Sequence, residues 1–191
     1  MSGTPVSQDD DATRTKEMIF VLGCLHFDDD SIIGHRGFKS VEEMNFLMAE
    51  NWKRAVSEDD TVYVLGDFAL KRPSYWQEQL PGRKILLLGN HDTFMTKDAG
   101  FAEVRETVLI RERNGRDTVS CWMSHYPYLS WPERREGCVH LHAHCHGNST
   151  QSLRGYPGPW RLDMSAEVWN YTPVELTTAI QAARTRKSGG L

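Results

Sequence analysis

Five short stretches carry donors suited to divalent cations: Cys24-Leu25-His26, Gly66-Asp67, Gly89-Asn90-His91-Asp92, Ser124-His125 and His142-Ala143-His144-Cys145-His146. Imidazole nitrogen, carboxylate and amide oxygen, and thiolate sulfur are the atoms such cations take from proteins. Each stretch follows directly on an apolar run. In α/β sheets the loops at the carboxyl ends of strands meet in one crevice, so polar residues in those places are brought together. In the last stretch the alternation of a strand sends His140, His142, His144 and His146 to one face, with Val139, Leu141, Ala143 and Cys145 on the other. Alone, such a row also fits a solvated strand edge or a pH-sensitive surface. An Asn-His-Asp run is common in turns, but here it follows the strand-like Ile85 to Leu88 and Gly89. Together the five places point to a metal centre.

The elements that must position these residues alternate along the chain. Short aliphatic runs at Met18 to Cys24, Thr61 to Gly66, Lys84 to Leu88, Thr118 to Met123 and Val139 to Ala143 read as buried strands. Between the first two lies a helix, with Ser40 and Glu43 at capping-box spacing and an apolar stripe of Met44, Leu47, Met48 and Trp52. A second helix is expected after Pro173, with Thr172 as N-cap, Glu175 three residues on, and a basic end at Arg184, Arg186 and Lys187. Alternating strands and helices predict an α/β fold.

The chain has 191 residues, 39% hydrophobic and 25% charged, a composition suited to one globular domain over 17–185. Residues 1–16, acidic and nearly devoid of apolar side chains, and residues 186–191 are expected to be flexible tails. Gly155, Pro157, Gly158 and Pro159 mark a turn-rich loop. The net charge of −4 offers no broad positive field, so a stable nucleic-acid partner is not expected. No apolar run approaches the length of a membrane span. Four cysteines without CxxC spacing, behind an N-terminus with no leader pattern, suggest a reduced, cytoplasmic protein.

In order and separation these stretches resemble the calcineurin-like metallophosphoesterases, whose signature reads D-x-H, G-D, G-N-H-D/E, H and G-H-x-H. The likeness runs from about Met18 to Ile180. It is strongest toward small phage and bacterial members, with Asp60 to Phe68 and Tyr171-Thr172-Pro173-Val174 adding to it, and a mycobacteriophage protein is expected as the nearest relative. The resemblance implies two facing mixed β-sheets flanked by helices, a four-layer α/β/β/α sandwich with a dinuclear site at strand ends. It implies that Asp67 bridges two divalent cations (manganese, zinc, iron or magnesium, with manganese expected for activity). His26 and His146 would serve the first, and Asn90, His125 and His144 the second. Such a pair acidifies a shared water and neutralises phosphate oxygens. His91 matches the histidine that assists the leaving group, and Asp92 would orient its imidazole.

Where the family has its first aspartate, this chain has Cys24. As a thiolate ligand, Cys24 would tilt the first site toward softer ions such as zinc or iron; as a small apolar side chain it would leave that site weak. Ala143 stands at the family's glycine before the paired histidines, a tolerable change if φ there stays negative.

The family cleaves many phosphate esters. The short stretch between Asp92 and His125 leaves no room for a capping domain, so an open site taking small phosphodiesters, including cyclic nucleotides, is expected. Arg36 would grip a substrate phosphate or be a surface residue. Tyr126, Tyr128 and Trp131 flank His125 and would stack on a base or pack in the core. Two rivals are a non-catalytic interaction protein on the same fold, suggested by Cys24, and a nuclease, which would need a basic track.

Overall fold

The computed structural model describes residues 17–115, 117–148 and 160–185. Both expected tails and the turn-rich stretch at 155–159 lie outside the described residues. Four parallel strands, β1 (Ile19–Leu22), β2 (Thr61–Val64), β3 (Arg83–Leu87) and β4 (Glu103–Arg105), and the antiparallel β9 (Val174–Glu175) form one mixed sheet ordered β4-β3-β2-β1-β9. A second mixed sheet is ordered β5 (Thr107–Asn114), β6 (Asp117–Ser124), β7 (Val139–His142) and β8 (Arg161–Asp163). The α/β class is as expected.

β1 to β3 are buried along almost their whole length because sheet faces of this parallel kind are covered on both sides. On one side, Phe20, Leu22, Val62, Val64 and Leu86 pack with Met44, Met48 and Trp52 of α2 (Val41–Ala55) and Trp76 of α3 (Pro73–Gln79). On the other, Val21, Tyr63, Leu65, Ile85 and Leu87 share one core with Cys121, Met123, Val139 and Leu141 of the second sheet. Leu176, Ala179, Ile180 and Ala183 of α5 (Leu176–Thr185) join that core. Over the outer face of the second sheet, Trp131 of the irregular segment before β7 packs on Trp122 with Cys138.

Some expectations change. The Ser40 hydroxyl accepts the Glu43 amide as foreseen, while the Glu43 carboxylate takes the Lys39 amide. The buried stripe of α2 replaces Leu47, which is exposed, with Asn45 and Ala49. The last helix begins at Leu176, not after Thr172, because Val174 and Glu175 pair with Val21 and Phe20 to close the edge beside β1.

Register fixes where the candidate residues fall. Leu22, Val64 and Leu86 are neighbours across the parallel ladder, so the loops that follow β1, β2 and β3 leave one edge. Met123 pairs with Leu141, and His142 with Asp163, so His125, His144, His146 and residues 164–167 leave the corresponding edge of the second sheet. Gly23 ties the edges together, donating its N–H to Met164 and accepting that of Ala166. A Cβ at Gly23 would come within 2.6 Å of Ala143 Cβ and 2.8 Å of the Leu65 carbonyl, so only glycine allows this approach.

Candidate metal centre

The donors converge as lone pairs. His125 Nδ1 lies 2.8 Å from the Leu65 carbonyl, which can only accept, so Nδ1 carries the proton and Nε2 is bare. That Nε2 faces Asn90 Oδ1 at 3.0 Å, His144 Nδ1 at 3.2 Å and Asp67 Oδ2 at 3.4 Å. Beside them, His26 Nδ1 meets Asp29 Oδ2 at 2.9 Å, turning Nε2 toward Asp67 Oδ2 at 3.5 Å. Among the described residues His26 Nε2, which is buried, has no hydrogen-bond partner. His146 Nδ1 meets Glu167 Oε1 at 2.8 Å, which leaves its Nε2 as the free donor. One donor atom from each of Cys24, His26 and His146 lies within 4.8 Å of the others, as does one from each of Cys24, Asp67 and His125. A bare imidazole nitrogen set among carboxylate, amide and thiol donors is an arrangement a divalent cation can take up, so these residues could hold metal. Gly89 is part of the cradle: a Cβ there would run into Asp67 Oδ1.

Charge follows the same geometry. Burial pushes the Asp67 carboxyl up, but the His26 and His125 imidazoles and the His91 amide outweigh it and hold it at about 2. The His26 contact in that set is too long for a hydrogen bond and acts through charge. Burial likewise opposes, and His146 and Arg36 overcome it, at Glu167, whose pKa is about 2. Cys24 is fully buried, and burial, with Asp67 adding, pushes its thiol well up; its Sγ accepts the His144 amide at 3.1 Å.

The backbone bears strain here. Cys24, His26, Asp67, His144 and His146 have φ of 50°, 53°, 53°, 66° and 48°. The left-handed region costs an L-residue about 1 kcal/mol, and such strain gathers where side chains must be aimed. Ala143 is not among the residues with positive φ, as its reading required.

The structure brings Cys24, His26, Asp67, Asn90, His125, His144 and His146 together, with His91 beside them, its ring centroid 5.2 Å from that of His26. It corrects three expectations. The row of four imidazoles is broken, because β7 ends at His142 and the chain then turns through positive φ at His144 and His146. His140 faces the outer core, donating to Trp122 O and accepting the Tyr128 amide, and burial pulls its pKa down to about 3. Arg36 does not face a substrate: its side chain is fully buried, with Nε on Glu167 Oε1 at 2.5 Å and the other nitrogens on the carbonyls of Cys24 and Leu25. Asp92 does not bond the His91 ring; its carboxylate takes the amides of Gly89, Asp67 and Phe68, leaving His91 to donate its own amide to Asp67 Oδ1.

Of the three aromatics, Tyr126 touches His125 and His144, with centroids at 4.8 and 4.7 Å, and is 42% exposed. Tyr128 and Trp131 pack around Trp122 and His140 instead. Sequence reasoning passed over Asp29 and Glu167, whose only trace is a carboxylate among other acidic residues near His26 and another in an irregular segment. It also passed over Asp163, which takes the Ser165 hydroxyl and the Gly147 amide and so anchors the His146 turn.

No protein-family model matches the chain. It is 32% identical over 174 residues to the uncharacterized protein MJ1445 of Methanocaldococcus jannaschii, an alignment covering 85% of this chain and 89% of that one. The chain belongs to the MJ1445 family. The Gene 66 protein of Mycobacterium phage L5 is 30% identical over 159 residues, covering 63% of this chain and 76% of its own. The Gene 66 protein of Mycobacterium phage D29 is 27% identical over 179 residues, covering 75% and 88%. Mycobacteriophage proteins are thus among the relatives, at lower identity than the archaeal one. Among solved structures, the protein of unknown function AQ665 from Aquifex aeolicus superposes with a TM-score of 0.63 at 25% identity, covering 84% of this chain and 96% of that one. Among the described residues no helix is long and apolar enough to cross a membrane.

Proposed function

We propose that the protein is a metal-dependent phosphoesterase acting on small phosphodiesters, nucleotide diesters and cyclic nucleotides first among them. The observation that carries this reading is the bare Nε2 of His125 set against Asn90 Oδ1, Asp67 Oδ2 and His144 Nδ1. Asp67, Asn90, His125 and His144 would hold one cation, and Asp67, His26, His146 and Cys24 the other. When bound, the pair supplies an acidified water and neutralises charge on phosphate oxygens. The fold reading that goes with this is the four-layer sandwich, which the core shared by the two sheets supports.

The chain's own groups do the rest. His91 lies exposed beside His26. Its ring N–H donates to the departing ester oxygen as the phosphorus–oxygen bond breaks, and a proton transfer of this kind is worth about 10²- to 10⁴-fold in rate. The His91 amide holds Asp67 Oδ1, so the acid and the shared carboxylate move as one unit. Asp92 keeps that unit rigid through three main-chain amides. Tyr126 offers an exposed aromatic face where a base can stack.

The test is hydrolysis of bis-p-nitrophenyl phosphate and p-nitrophenyl phosphate by metal-stripped protein, before and after manganese or zinc. Cleavage restored by metal and faster on the diester is expected. No cleavage with any metal would overturn the reading in favour of a binding role on this fold.

A further inference from the structure

The two halves of the candidate centre are backed differently. At the second site, His125 Nδ1 rests on a neutral main-chain carbonyl. At the first, both histidines rest on carboxylates: His26 Nδ1 on Asp29 Oδ2 at 2.9 Å and His146 Nδ1 on Glu167 Oε1 at 2.8 Å. The first site's own ligands add no carboxylate: His26 and His146 offer imidazoles, Cys24 a thiol, and the carboxylate of Asp67 is shared. A carboxylate on the far nitrogen of a ligating imidazole fixes its tautomer and raises its basicity.

Both carboxylates are themselves fixed. Asp29 Oδ1 takes the amide of Ser31 at 2.9 Å and its hydroxyl at 2.6 Å. Glu167 Oε1 takes Arg36 Nε, while Arg36 also holds the carbonyls of Cys24 and Leu25. Arg36 and Glu167 therefore clamp the β1 loop, which carries Cys24 and His26, to the imidazole of His146, which comes from the second sheet.

We propose that Asp29 and Glu167 are positioning residues for the first cation, each presenting a histidine Nε2 and placing a carboxylate behind it, with Arg36 holding Glu167 in place. Resting on the metal-binding reading above, this makes the first site's affinity depend on residues that touch no metal.

Manganese titration of metal-stripped protein, followed by electron paramagnetic resonance, tests it. Two bound ions sharing Asp67 give an exchange-coupled signal, and a single ion gives the isolated six-line pattern. Asp29→Asn and Glu167→Gln are each expected to weaken one class of site about 10- to 100-fold, the class that His146→Ala removes, and to convert the coupled signal to six lines. The remaining class should hold within about threefold. Glu167→Gln leaves Arg36 without a counter-charge, so Asp29→Asn, which does not touch Arg36, is the independent variant should the former fail to fold. Two classes retained at parental affinity in Asp29→Asn, or both classes falling together with the melting temperature of the metal-free protein, would overturn the inference and leave the phosphoesterase reading standing. Parental protein that binds no manganese would overturn that reading as well.

Discussion

Replacing Asp92 with asparagine separates two roles for this residue. Its Oδ2 accepts the amides of Gly89 at 2.8 Å and Asp67 at 2.9 Å, and its Oδ1 that of Phe68 at 3.0 Å. Asparagine can keep two of these on its one oxygen, now uncharged, while its NH2 confronts the third N–H. A hydrogen bond to a charged group is worth about 1.5–3 kcal/mol against about 1 for a neutral one, and a stranded buried donor costs about 1–3 kcal/mol. Two weakened bonds at about 0.5–2 kcal/mol each and one stranded donor at about 1–3 sum to about 2–7 kcal/mol. For a chain of this size that lowers the melting temperature by at least about 4 °C. Thermal unfolding of the metal-stripped protein by circular dichroism measures it. Manganese affinity should fall in step, because the bond to the Asp67 amide is one of the two that lose their charge. A variant melting within about 2 °C of the parent, yet as slow as His91→Ala, would refute this reasoning and return Asp92 to the His91 ring.

His91→Ala should keep both manganese equivalents and its melting temperature, while losing about 10²- to 10⁴-fold in turnover on alkyl diesters. The loss should be much smaller with p-nitrophenolate, which leaves without a proton; comparing the two leaving groups checks it. Cys24→Asp should tighten manganese by at least about tenfold and weaken the preference for zinc, since a carboxylate suits the harder ion; competition titration reads both. Lys84 is buried, and burial pulls its ammonium from 10.5 down to about 8 in the folded chain. At this group the unfolded chain therefore binds more protons between these values, and the Lys84 contribution to stability rises with pH from about 8 to 10.5, by up to about 3 kcal/mol, while the buried thiols of Cys24, Cys121 and Cys138, raised from 9.0, act in the opposite sense. The difference in melting temperature between the parent and Lys84→Met isolates the Lys84 share, the parent gaining on the variant as pH rises through that range.

The candidate ligands were legible because each follows an apolar run, and parallel register carries the ends of such runs to one edge. His26, Asp67 and Asn90 owe their place to β1, β2 and β3 in this way. What the sequence hid lies where partners are remote or the pattern is mixed. Arg36 reads as a surface cation until Glu167, far along the chain, is seen to receive it; a guanidinium is buried only with a counter-charge at hand. Asp92 reads as an acid beside a histidine because its acceptors' partners are main-chain amides, which every residue has. β5 was missed because its apolar run ends at Ile110 and gives way to Arg111, Glu112 and Arg113, and β9 because two residues after a proline look like a helix start.

The donors are divided between two sheets: His26, Asp67 and Asn90 follow strands of one, and His125, His144 and His146 follow strands of the other. On the metal-binding proposal, cation uptake would therefore report on docking of the sheets during refolding. A chain with only its first sheet formed offers Asp67 but neither complete set, so metal capture should come late and in step with closure of the shared core. Once captured, the ions would act as rivets between the sheets, slowing unfolding far more than they speed folding.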